Sequence, residues 1–134
     1  MAAPTPVTKS GQSGHSGYTI WLGEWGGTGE FTDAVVVNLS DLTSYTSALK
    51  IVKGYIVASE GISAKLELEN DDADVPIAMH PLAATGRIDF DYSDTPGGGI
   101  GLSTDTDIDA DLVLTTLSAA SADTVFIYVE WKAY

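Results

Sequence analysis

Residues 111–134 constrain the fold more than any other stretch of this chain. They read DLVLTTLSAASADTVFIYVEWKAY, an apolar run, a small polar turn at 118–123 and a second apolar run. Leu112 and Leu114 alternate with Asp111, Val113 and Thr115, the period of a half-buried strand. The second run is dense in β-branched and aromatic residues, the composition of a strand. Along it Val125, Ile127, Val129 and Trp131 share one face, and Phe126 and Tyr128 share the other. A strand apolar on both faces sits centrally in a sheet or is covered on both sides. The chain is therefore expected to close with a buried β-hairpin, and to be an all-β protein whose last strand is scaffold rather than site.

The remaining runs fit the same class. Strands are expected at 18–22, 31–39, 48–58, 62–69, 75–79 and 84–92, each bounded by Gly, Pro, Asp or Ser. Gly54 inside the third run points to a bulge or a close backbone approach. The segment 41–52 also carries Leu42, Tyr45 and Leu49 at helical spacing, but its Thr and Ser density opposes a helix. About eight short strands at these spacings describe an antiparallel β-sandwich, jelly-roll-like. Residues 1–17, rich in Ala, Pro, Thr, Ser and Gly, are expected to be a flexible extended arm, leaving 18–134 as the sandwich domain.

Charge excludes whole classes of partner. The 134 residues carry 19 acidic and 6 basic side chains, a net charge of −13. Nucleic acid and anionic membranes both require clustered Lys and Arg, so neither is an expected partner. No Cys is present, which removes disulfides, thiolate metal sites and a cysteine nucleophile. The N-terminal residues lack the apolar core of a signal peptide, and no run approaches the roughly 20 apolar residues of a membrane span.

Candidate chemistry is sparse. Asp105, Asp107, Asp109 and Asp111 alternate, and the first three match the first, third and fifth positions of a calcium loop, but Ala110 stands where that loop needs Gly and Thr116 where it needs Glu. On a strand these carboxylates would share one solvated face that discourages edge-to-edge pairing, so calcium is a weak candidate and no cofactor is expected. Asn70, Asp71, Asp72 and Asp74 are a weaker set of the same kind. Gly14-His15-Ser16-Gly17-Tyr18 lacks the last Gly of a nucleophile elbow and lies in the arm. His15 and His80 have no zinc spacing, and His80 before Pro81 reads as a turn residue. Glu24 and Glu30 near Trp21 and Trp25 are the best acidic pair for glycoside chemistry. The same aromatics, with Tyr18, offer a carbohydrate-stacking surface as the rival reading, against core packing of both Trp.

The order of the runs 49–58, 64–69, 86–90, 111–116 and 125–131 resembles small β-rich virion proteins of tailed bacteriophages. That resemblance covers residues 48–134 and implies a structural role with no enzymatic activity. It points to a capsid decoration or cement protein on the outer surface of the head. The implied partners are the major capsid protein and further copies of the chain, with a trimer favoured. In that reading the arm and the loop at 23–30 supply the contact surface, through Pro4, Pro6, Val7, Tyr18, Trp21 and Trp25.

Overall fold

Each run gives its apolar positions to one interior, and pairing decides which sheet it joins. A computed structural model of the chain describes residues 3–46, 48–69, 74–82, 86–94, 99 and 111–134. The strands are β1 (Val7–Ser13), β2 (Ser16–Glu24), β3 (Ala34–Val37), β4 (Leu49–Ala58), β5 (Ser63–Leu68), β6 (Val75–His80), β7 (Gly86–Asp91), β8 (Leu112–Leu117) and β9 (Thr124–Ala133). They form a five-stranded sheet, β1-β2-β9-β4-β7, and a four-stranded sheet, β3-β8-β5-β6. All pairs are antiparallel. β2 pairs with β9, β3 with β8, β4 with β7 and β5 with β6. This is one long ribbon, and rolling it adds the β4–β9 and β5–β8 pairs. The result is the strand order of a jelly roll, with β1 added outside β2.

The two sheets meet through their inner faces. Trp21, Ile51, Ile56, Ile127, Val129 and Trp131 from the larger sheet face Leu66, Leu68, Leu112 and Leu114 from the smaller one, all essentially buried. Each such side chain contributes about 1.5–3 kcal/mol through burial. The Trp131 indole Nε1 donates to the Thr19 hydroxyl at 3.1 Å, which satisfies the one polar atom of the ring. Trp21 and Trp25 both pack edge-on against Phe31.

Two expectations change. The closing strands do not form a hairpin: β8 belongs to the smaller sheet and β9 to the larger, so 118–123 carries the chain from one sheet to the other. Both strands need their inner faces covered, and stacking them face to face covers both at once. The turn is held by Ala119 N–H donating to Glu30 Oε1 and Ala120 N–H to Asp123 Oδ2, and by backbone pairs between Trp25 and Ala122 and between Trp25 and Asp123. The acidic residue Glu30 is thus a turn clamp. The segment 1–17 is not separate from the sandwich either. Val7–Ser13 pairs along its length with β2, and Ser16 and Gly17 belong to β2 itself. Gln12 exchanges two hydrogen bonds with the Thr43 backbone, and His15 stacks on Tyr45 and bonds to the Ala133 carbonyl. Contacts within the chain therefore hold the strand. A 3₁₀ turn, Leu39–Asp41, ends where the segment 41–52 begins, and that segment runs into the start of β4. His80 ends β6 fully buried, with neither ring nitrogen hydrogen-bonded.

Gly54 and Ala122 give opposite expectations. A Cβ at Gly54 would run into the Tyr128 carbonyl and lie 2.9 Å from the Phe90 ring. Gly54→Ala should therefore cost about 3 kcal/mol, an overpacking that backbone cannot relieve. Ala122 sits at φ 71°, which a Cβ disfavours, so Ala122→Gly should add up to about 1 kcal/mol. Urea denaturation of each variant measures both.

Candidate functional site: the outer face of the five-stranded sheet

The alternation that buries Val125, Ile127, Val129 and Trp131 turns Phe126, Tyr128 and Glu130 outward. Cross-strand register then builds outer rows across the sheet. One runs Lys9–Ile20–Tyr128–Tyr55–Asp89, from β1 to β7. A second runs Val7–Leu22–Phe126–Val57–Arg87, and a third Gly11–Tyr18–Glu130–Lys53–Asp91. No described element packs over this face.

Its centre is aromatic. Tyr18 and Tyr128 lie 6.5 Å apart between centroids, Tyr128 and Tyr55 5.5 Å, and Tyr55 and Phe126 6.0 Å. The Arg87 guanidinium sits 3.9 Å from the Tyr55 ring centre and donates to Asp89 at 2.7 Å. Lys53 and Glu130 approach to 4.0 Å. Such exposed pairs contribute little to stability, typically below about 1 kcal/mol. Hollows of about 310 Å³ and 400 Å³ flank the Tyr128–Glu130 ridge, beside Arg87 on one side and Tyr18 on the other. The rings lie side by side along the row at small interplanar angles, 25–30°.

The face also collects the cations. Five of the 6 basic residues, Lys9, Lys50, Lys53, Arg87 and Lys132, occupy outward positions on it. Glu24, Asp89, Asp91 and Glu130 balance them. Charge here is mixed and close to neutral, while the rest of the chain holds Lys65 and the remaining acidic residues.

The expected contact residues divide. Tyr18 and Val7 lie on this face, Val7 68% exposed. Pro4 and Pro6 precede β1 and are half-buried. Trp21 and Trp25 are 1% and 4% exposed, so neither can meet a partner or a sugar, and this corrects their place in the contact set. Their burial follows from the alternation of β2 and from the Trp25 indole donating to the Gly29 carbonyl at 2.8 Å. Sequence reading missed Tyr55, Phe126, Tyr128 and Arg87. The signal was present, since Phe126 and Tyr128 form the second apolar face of the last strand.

Among the calcium candidates, Asp105, Asp107 and Asp109 lie outside the described residues. Asp111 is committed to structure, accepting from the Leu39 N–H at 2.9 Å. Asp33, Glu67 and Asp74 bring carboxylate oxygens within 4.8 Å of one another on the smaller sheet, where Lys65 pairs with Glu67 at 3.3 Å. Acidic clustering of this kind is common on a solvated surface.

Partial burial first, and then the hydrogen bond and charge of Glu130, hold the Tyr128 phenol above its ordinary pKa of 10.0. The native state thus favours the protonated phenol. Its contribution is complete below the unfolded pKa of about 10 and is lost as pH rises through the higher folded value. In an alkaline absorbance titration, Tyr128→Phe should remove a late-titrating phenol.

Comparison with protein-family models, with curated proteins and with solved structures returns no match to this chain.

Proposed function

We propose that the chain is a non-enzymatic virion structural protein, a decoration or cement protein that binds the outer surface of a tailed-phage head and stabilises it. The observation that carries this reading is the outer face of the five-stranded sheet. A contiguous Tyr, Phe and Arg surface with no described element over it has the composition of a protein-protein contact. A net charge of −13 disfavours a position against packaged nucleic acid, which supports reading the chain as lying on the outside of a particle. A rigid jelly roll suits a role of presenting a surface, and Glu30, half of the acidic pair considered for catalysis, is spent on the Ala119 turn. The major capsid protein and neighbouring copies are the partners of this reading.

Co-sedimentation with emptied heads tests it. Saturable binding at a fixed copy number, with heads that withstand higher temperature, is expected. Tyr55→Ala with Phe126→Ala should weaken binding about tenfold or more while the fold is retained. Heads that leave the protein in the supernatant at physiological salt would overturn the assignment.

A further inference from the structure

We propose that the outer face of the five-stranded sheet is a self-association surface, on which a second copy of this chain docks face to face about a two-fold axis. The inference rests on reading that face as a protein-docking surface, and it names the occupant in the free protein, a copy that a head displaces from the same face.

The area is sufficient. Five strands of 6 to 10 residues, about 4.8 Å apart and rising about 3.3 Å per residue, give a flat face of roughly 650 Å². Two copies then bury on the order of 1,300 Å², before side-chain relief is counted, within the range of stable interfaces.

Charge selects a copy over another kind of partner. The face carries both signs in near balance, so it has no net field to draw a strongly basic or acidic molecule. Among the described residues, basic side chains balance acidic ones on this face, so two chains of net charge −13 can meet there without opposing acidic surfaces. A mixed-sign face can set a cation at one edge of a copy against an anion at the opposite edge of the other.

Register shows how. A two-fold axis lying along β9 places the β1 side of one copy over the β7 side of its partner. Because Lys9 and Asp89 end the same row, each Lys9 falls opposite the partner's Asp89. By the same operation Ile20 falls opposite Tyr55, Leu22 opposite Val57 and Tyr18 opposite Lys53. These pairs are cation with anion, apolar with apolar and cation with ring, while Val7 falls opposite Arg87 and the β9 residues on the axis meet their own copies: Phe126, Tyr128, Lys132, and Glu130 with a Lys53 beside each. Two-fold symmetry therefore joins Lys9 and Asp89, unlike charges that lie at opposite edges of one copy.

The test uses sedimentation velocity on the full chain with two exposed charge reversals. A reversible dimer that tightens as salt rises is expected, because salt screens the repulsion between two acidic bodies. Lys9→Glu and Asp89→Lys should each fold normally, by melting temperature, and each should weaken self-association about tenfold or more. An equimolar mixture of the two variants restores both ion pairs, Glu with Lys and Asp with Lys, and should regain the dimer. Leu117→Glu, on the other sheet and 58% exposed, should leave association unchanged. A wild-type chain that stays monomeric overturns the proposal, as does a mixture no tighter than its separate variants or a dimer lost in Leu117→Glu. A monomer that still co-sediments with heads leaves the assembly role standing while the pairing fails. A dimer that ignores heads does the reverse.

Discussion

The structure depends on how closely β9 is gripped by the strands on either side. Gly17 on β2 faces Trp131, and the Trp131 ring occupies the volume that any Cβ at Gly17 would take. On β4, Gly54 faces Val129, with the Tyr128 carbonyl and the Phe90 ring filling the same space. Two absent side chains let the bulkiest inward residue of β9 lie flat under the sheet and let β4 and β7 close in beside it. The price of a glycine in a strand, about 0.5–1 kcal/mol in backbone entropy, is outweighed by burying Trp131 with its indole N–H satisfied by Thr19.

That inward packing fixes what points outward. With Val125, Ile127, Val129 and Trp131 committed to the interior, Phe126, Tyr128 and Glu130 have no choice of face. Cross-strand neighbours then assemble the aromatic row without any further device: Tyr55 is opposite Tyr128, Tyr18 is the diagonal neighbour of Tyr128, and Phe126 is that of Tyr55. The acidic excess of the chain lies elsewhere, and five cations lie here. A surface that is apolar in the middle and balanced at its rim is the form of a contact between proteins. The core thus dictates the site, although no core residue belongs to it.

Strand runs were legible because period-two alternation and turn residues mark them directly. The ranges 48–58, 62–69 and 84–92 agree with β4, β5 and β7 to within two residues at each end. Partnership was not legible. Two adjacent apolar runs joined by a short polar turn read as a hairpin, yet β8 and β9 stack across the interior, because pairing is decided by long-range contacts that local pattern does not carry. β1 was missed for a related reason: Val-Thr-Lys-Ser-Gly-Gln-Ser has no apolar face, and an edge strand held by backbone pairing and Gln12 needs none. The site was half visible. The second apolar face of β9 pointed to it, but Tyr55 and Arg87 join that face only through register.

Hydroxyl-radical footprinting of the assembled protein against the dilute chain tests most directly whether this sheet face is where the molecule meets proteins. Protection confined to Tyr18, Tyr55, Phe126 and Tyr128, with Met79 and Leu117 on the other sheet still reactive, is the expected result. Protection of Met79 and Leu117 with the four aromatics unchanged would contradict it.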